Sequence, residues 1–184
     1  VTGLVKASGL GGVAVQVISG GSVGAVTVGS TGTITTTGTN GGAAIQIGPN
    51  TSTVVSNGIG SIVNDGTIST SAPSGSAIQV SRDGTLGSLT NNSVILTTGS
   101  FGVGVQILGT VGSIANSGQI LSTGSSGVGV AVAQGGALTS LTNTSTLSAS
   151  GANGVAISAN GLIGTVTNSG SLVAAQGTAI SVGT

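Results

Sequence analysis

Apolar residues recur along this chain in three short patches per unit, each bounded by Gly, Ser, Thr or Asn. The first patch alternates: Val13-Ala14-Val15-Gln16-Val17, Ala44-Ile45-Gln46-Ile47, Ala77-Ile78-Gln79-Val80, Gly104-Val105-Gln106-Ile107, Gly129-Val130-Ala131-Val132, Ala156-Ile157-Ser158-Ala159 and Ala179-Ile180-Ser181-Val182. Period two is the pattern of a half-buried strand, which places Val15 and Val17 on the inner face and Gln16 on the outer one. The second patch ends in Val28, Ile62, Leu89, Ile114, Leu141 and Val166, and the third is headed by Ile34, Ile68, Ile95, Ile120, Leu147 and Leu172. Read this way, six residues separate the second patch from the third in every copy, whereas the distance from the first strand to the second patch varies. One corner is fixed and another accepts insertions.

The fixed corner carries a recurring phrase. Ile114-Ala115-Asn116-Ser117-Gly118-Gln119-Ile120 returns as Val166 to Leu172, Ile62 to Ile68, Leu89 to Ile95 and Leu141 to Leu147. Self-similarity at such a period marks a solenoid, in which no unit buries its apolar side alone and each must stack on its neighbours. Successive copies of the Gln16 position fall 30, 33, 27, 25, 27 and 23 residues apart, too irregular for the strict hexapeptide rhythm of a left-handed coil. The expectation is an all-β chain folded as a right-handed parallel β-helix of about seven coils, a rod roughly 30 Å long at about 4.8 Å per coil. Residues 1–184 are read as one solenoid segment of a longer repeat protein.

Asn64, Asn91, Asn116, Asn143 and Asn168 each precede the third-patch aliphatic by four residues, so they should superpose as a ladder of side-chain amides that donate and accept along the rod. Ser30 holds the matching place in the first coil. Gly32, Gly66, Gly118 and Gly170, two residues before the aliphatic, are expected to supply a positive φ at the bend, with Ser93 and Ser145 as departures.

Composition then removes functions. The charged side chains are Lys6, Asp65, Arg82 and Asp83, and Phe101 is the one aromatic. Such a chain has neither the basic footprint nor the stacking platform that nucleic acid requires. No apolar run reaches the roughly 18 residues of a membrane helix, and one Phe cannot form the aromatic girdles of a membrane barrel. Direct membrane insertion by this segment is therefore not expected. Without His, Cys, Tyr or Glu, general acid–base and nucleophilic chemistry lack their usual groups. No catalytic residue, cofactor or metal ligand is assigned, and the chain is read as non-enzymatic.

Asp65 lies in the Asn bend and Asp83 beside Arg82 in a separate turn, which reads as solvated turn chemistry. Gly20-Gly21-Ser22-Val23-Gly24 spells a nucleophile elbow, but no base and no helix pattern accompany it. Gln16, Gln46, Gln79 and Gln106 form a column that either stiffens the sheet or presents a polar docking stripe. The column Thr35, Ser69, Leu96, Leu121, Ser148 and Val173 is too mixed for the regular Thr array of an ice-binding face. Asn50-Thr51-Ser52, Asn91-Asn92-Ser93 and Asn143-Thr144-Ser145 match the glycosylation sequon, as expected by chance in this composition.

The cadence from Gly112 to Ile120, with Gly-Val-Ala-Ile strands such as Gly154 to Ile157 between copies, resembles the passenger regions of bacterial autotransporters and related secreted β-helical adhesins. The resemblance covers nearly all of the chain and is one of repeat grammar, so no functional residue is carried across. It implies export and display on the bacterial cell surface, anchored through regions outside this segment. It also implies a role in adhesion, autoaggregation or an extracellular layer. The partners it implies are further copies of the chain or a surface ligand, protein or glycan. A filament or coat protomer is the alternative, and ice binding a lesser one.

Overall fold

The computed structural model describes residues 1–18, 20–48 and 57–183. Their regular structure is entirely strand. In chain order the strands are β1 (Leu4–Ala7), β2 (Val13–Val17), β3 (Ser22–Val28), β4 (Thr33–Thr36), β5 (Ala43–Ile47), β6 (Asn57–Asn64), β7 (Thr67–Thr70), β8 (Ser76–Val80) and β9 (Gly84–Asn91). They continue as β10 (Val94–Thr97), β11 (Val103–Ile107), β12 (Thr110–Asn116), β13 (Gln119–Ser122), β14 (Val128–Val132), β15 (Ala137–Asn143), β16 (Thr146–Ala159), β17 (Leu162–Asn168) and β18 (Ser171–Val182).

As far as β15 each strand pairs with the third one along the chain, and every pairing is parallel. β3, β6, β9, β12, β15 and β17 form a six-stranded sheet. The 12-stranded sheet holds two columns, one running β1-β4-β7-β10-β13 and the other β2-β5-β8-β11-β14. β16 turns the corner between the columns and joins both, and β18 lies on it. The chain is thus a β-solenoid of about six turns.

Register follows the aliphatic pattern. Val15, Ile45, Ile78, Val105, Val130, Ile157 and Ile180 stand one above another, as do Ile34, Ile68, Ile95, Ile120, Leu147 and Leu172. The middle members of these stacks have no solvent exposure. Each buried Ile or Leu contributes about 1.5–3 kcal/mol relative to an exposed one, and β-branched side chains fit the pleated surface. Alternation within the first strand is not strict: Ala44, Ala77 and Ala156, expected to face outward, also belong to the core. Small residues are needed in that column. At Gly104 a Cβ would meet the Gly129 carbonyl oxygen at 2.5 Å and Ile120 Cγ2 at 2.9 Å.

The first coil departs from the expected spacing. Val26 rather than Val28 stacks on Ile62, and Val28 lies opposite Asn64. Thr33 still pairs with Thr67, so Gly29 to Gly32 bridge in the first coil what Asp65 and Gly66 bridge in the second. The bend in coil one is two residues longer, stabilised by its own turn, Gly32 N–H to Gly29 O at 2.7 Å. Ser30 therefore falls inside this enlarged bend, out of line with the Asn column.

The opposite corner, between the third-patch and first-strand columns, is a stack of tight turns. Gly11, Gly41, Ser74, Phe101, Ser126 and Asn153 occupy its third position with φ between 53° and 62°. Gly75 N donates to Ala72 O, Gly102 N to Gly99 O and Gly127 N to Gly124 O, each across 3.0–3.1 Å. Positive φ at the third residue with Pro73 at the second is the type II pattern. That turn inverts its central peptide, so the amide of the third residue points toward the following coil. Gly11 donates to Asn40 O, Gly41 to Pro73 O, Ser74 to Ser100 O, Phe101 to Ser125 O and Ser126 to Ala152 O, at 2.7–2.9 Å.

Candidate functional site

The amides at the fixed bend superpose. Asn64, Asn91, Asn116, Asn143 and Asn168 are register partners at the C-terminal ends of β6, β9, β12, β15 and β17. Each Nδ2 donates to the Oδ1 of the next Asn, at 2.8, 2.7, 2.6 and 2.7 Å in order along the rod. The second Nδ2 proton reaches a backbone carbonyl past the bend: Val94, Gln119, Thr146 and Ser171 accept at 2.9–3.1 Å. Asn64, Asn91, Asn116 and Asn143 are buried, and this double use of the amide supplies the partners their burial demands.

The ladder has a direction. All donors point toward the C-terminal end, so its two ends are chemically different. At the first, Asn64 Oδ1 faces Val28 and is buried with no hydrogen-bond partner. At the last, Asn168 is exposed and its Nδ2 donates to Gly170 O within its own bend.

Bend glycines serve a different purpose from the one expected. Gly32, Gly66, Gly118 and Gly170 are not among the positive-φ residues. Close approach of the preceding coil is what requires them. A Cβ would lie 2.2 Å from Val1 O at Gly32, 2.3 Å from Gly32 O at Gly66, 2.1 Å from Ser93 O at Gly118 and 2.2 Å from Ser145 O at Gly170. The Ser departures fit an alternation of bend geometry: Gln119 N to Ser93 O and Ser171 N to Ser145 O span 2.6 Å, whereas Val94 N to Gly66 O and Thr146 N to Gly118 O span 3.1 and 3.2 Å.

Outside the bend, a second string of polar groups follows the ladder. Asn92 Nδ2 donates to Asp65 Oδ1 and Ser117 Oγ donates to Asn92 Oδ1, both at 2.8 Å. This gives Asp65 a structural partner. Asp83 sits elsewhere, in the Ser81–Gly84 turn, so the structure does not bring the two carboxylates together.

The Gln positions are register partners, and bonds of 2.9 Å join Gln16 to Gln46 and 3.1 Å join Gln79 to Gln106. Ser76 Oγ adds a donor to Gln106 Oε1 at 3.0 Å. The column is not uniformly open to solvent: Gln16 is exposed, but Gln46 is only 3% exposed. Beyond Gln106 the register continues through Ala131, Ser158 and Ser181, where no amide is available.

One buried polar column escaped the sequence reading. Thr36, Thr70, Thr97 and Ser122 stack behind the third-patch aliphatics, with Thr36 Oγ1 donating to Thr70 Oγ1 at 2.8 Å and Thr97 Oγ1 to Ser122 Oγ at 3.0 Å. Ser122 Oγ in turn donates to Gly102 O at 3.1 Å, tying the column to the type II corner. Its signal in the sequence is a hydroxyl residue two places after each of Ile34, Ile68, Ile95 and Ile120.

Ser22 of the elbow-like string opens strand β3. Asn91 and Asn143 of two sequons are buried ladder members, and Asn50-Thr51-Ser52 lies outside the described residues. The column Thr35, Ser69, Leu96, Leu121, Ser148 and Val173 is in register on the outer face. Among the described residues no group of three His, Cys, Asp or Glu converges, and no helix is long and apolar enough to cross a membrane. No protein-family model, curated protein or solved structure matches the chain.

Proposed function

We propose that this chain is a non-enzymatic rod displayed on the bacterial cell surface, a right-handed β-helix of about seven coils that serves adhesion, autoaggregation or display. The observation that carries this reading is the stacking of uncharged side chains into columns along the outside of the solenoid. Gln16, Gln79 and Gln106 present one such column, interrupted at the buried Gln46, and Asp65, Asn92 and Ser117 form another with a single charge. Repetition of one weak contact along a stiff rod multiplies binding through effective concentration. The autotransporter-like repeat grammar supports an extracellular setting, with a surface protein, a glycan or another copy as partner.

Beads carrying the purified chain test the reading. Coated beads should clump or attach to glycan- or protein-coated surfaces where bare beads do not; indistinguishable behaviour removes adhesion and autoaggregation. A hydrolytic or lytic activity lost on Asp65→Asn or Asp83→Asn would overturn the non-enzymatic reading.

A second reading is a protomer of an extracellular filament or coat, in which the same repeated outer columns would make the contact between rods. Electron microscopy separates the two, since filaments longer than one chain favour the protomer and dispersed single rods favour the display module. Ice binding ranks below both, because Leu96, Leu121 and Val173 interrupt the hydroxyl column. Thermal hysteresis of ice growth would be its signature.

A further inference from the structure

Phe101 stands apart from the other large apolar side chains in the middle of the rod. Among the described residues between 60 and 160 it is the only one exposed, at 61%. Its backbone is equally unusual. Phe101 holds the third position of its type II turn with φ 57°, where the other coils place Gly11, Gly41, Ser74, Ser126 and Asn153. Gly and Asn suit that conformation, and a bulky side chain there is an outlier. Packing does not explain a residue that is both strained and left in water, and strain of this kind gathers at functional positions.

The surroundings of the ring share one chemistry. Thr98 and Ser100 lie just before Phe101, Ser74 and Ser126 hold the matching place in the turns on either side, and Ser125 precedes Ser126. All five are exposed except the half-buried Ser126. Among the described residues no hydrogen bond engages their hydroxyls, whereas the buried Thr97 and Ser122 hydroxyls are joined to each other. Charge is missing as well: neither residues 66–81 nor residues 84–184 include Lys, Arg, Asp or Glu.

We propose that Phe101 is the stacking platform of a binding site for a neutral sugar ring, whose rim the neighbouring hydroxyls bond. A pyranose offers C–H groups on its faces and hydroxyls around its edge. The C–H groups carry slight positive charge and suit the negative face of an aromatic ring. Ser and Thr hydroxyls donate and accept, as the sugar's own do. A protein pocket closing over Phe101 would bury the surrounding hydroxyls and require a partner for each, whereas a sugar brings those partners with it. An anionic sugar would meet no cation here. The inference rests on the display reading and narrows its partner to an uncharged glycan. One ring makes a weak contact, which many rods on one surface multiply through effective concentration.

Proton resonance of the full chain tests the site. The chain has no Tyr, Trp or His, so once the amides are exchanged in deuterium oxide its aromatic signals belong to Phe101 alone. Cellohexaose and chitohexaose, uncharged oligomers of flat β-linked rings, are the probes. Saturable shifts of the Phe101 signals are expected with at least one of them at millimolar concentration, with saturation transfer from the protein to the sugar C–H protons. Phe101→Gly should weaken binding by at least about tenfold while raising the thermal midpoint, so that unfolding is not the cause. Phe101→Trp should keep the binding and Phe101→Leu should lose it. No shift with either sugar, or a Phe101→Leu variant that binds as the parent does, would overturn the proposal. Attachment of coated beads to protein but not to sugar surfaces, abolished by Phe101→Gly, would overturn it too and make the ring a protein anchor. The display reading fails separately. Beads that adhere regardless of Phe101→Gly, in the absence of sugar shifts, remove the sugar site and leave adhesion standing, whereas sugar shifts with inert beads support the site and remove adhesion.

Discussion

Val28 lies opposite Asn64 in the register of β3 on β6, and the Asn64 side-chain oxygen is buried against it with no hydrogen-bond partner. Every later coil offers an Asn at that place, so this is where the ladder begins. A buried acceptor left unpaired costs about 1–3 kcal/mol. Val28→Thr is nearly isosteric and adds a hydroxyl that can donate to the oxygen. Val132, equally buried, stacks between the aliphatic side chains of Ile107 and Ala159. Val28→Thr should therefore be less destabilising than Val132→Thr by at least about 1 kcal/mol in chemical denaturation. Equal losses would show that the orphaned oxygen carries no cost.

In mid-ladder the expected effect is larger and depends on pH. Asn116 accepts from Asn91 and donates to Asn143 Oδ1 and Thr146 O. An Asp there still accepts but, once ionised, faces two acceptors with nothing to donate. Burial and those oxygens both raise the folded-state pKa of Asn116→Asp above the unfolded value of about 3.9. The folded state then holds more protons than the unfolded one, so stability falls as pH rises through and above the unfolded pKa. Melting of this variant should drop steadily from about pH 4 to pH 7 relative to the parent chain measured alongside. A constant difference between the two across that range would contradict the donor role of the amide.

Much of this architecture was legible because a solenoid writes its interior into a repeat. The five Asn residues share one spacing to the following aliphatic, and they superpose. Coil one was misread because Val28 mimics a second-patch aliphatic, while two additional bend residues keep Ile34 at the same distance from it. Hydrophobic pattern alone cannot tell such an insertion from a register shift. The type II corner was missed because its defining feature is the sign of one φ, at a position filled by Gly, Ser, Phe or Asn. The glycines at the Asn bend are visible in the sequence, but their cause is close packing rather than positive φ. Close packing between coils and positive φ both select glycine, and sequence does not distinguish them.

The type II corner supplies a graded series. Phe101 adopts φ 57° and Asn153 φ 56°, while Gly41 occupies the matching place at 60°. A left-handed backbone costs a residue with a Cβ roughly 1–2 kcal/mol, and Asn tolerates it better than most. Phe101→Gly should raise stability by up to about 1 kcal/mol, Asn153→Gly should change it little, and Gly41→Val should lower it by more than 1 kcal/mol. Thermal midpoints in that order are the expected result, and Gly41→Val matching the parent would refute the assignment of this corner.

A methyl group at the Asn bend tests the close-approach explanation. Gly118→Ala would place its Cβ 2.1 Å from Ser93 O, whereas the Cβ of Gly3→Ala meets nothing within 4 Å. Neither position has positive φ, so backbone conformation does not separate them. Gly118→Ala should cost at least about 2 kcal/mol, within the range of overpacking effects, and Gly3→Ala should be close to neutral. Similar unfolding free energies for the two variants would return the bend glycines to a conformational role.

Association between rods provides the last expectation. The charged side chains are Lys6, Asp65, Arg82 and Asp83, one cation and one anion of which lie together at 82 and 83, so lateral contacts would be made by amides, hydroxyls and aliphatic groups. Screening shortens the reach of charge from about 10 Å at 0.1 M salt to about 3 Å at 1 M, and has little to act on here. Sodium chloride between those concentrations should move the onset of light scattering by less than about twofold in protein concentration. Sulfate should lower that onset, since it is excluded from protein surface and favours burial of whatever area the contact covers. Aggregates that dissolve as sodium chloride rises would instead place the contact on the few charged groups, with Asp65 and the Arg82–Asp83 turn the first to be replaced.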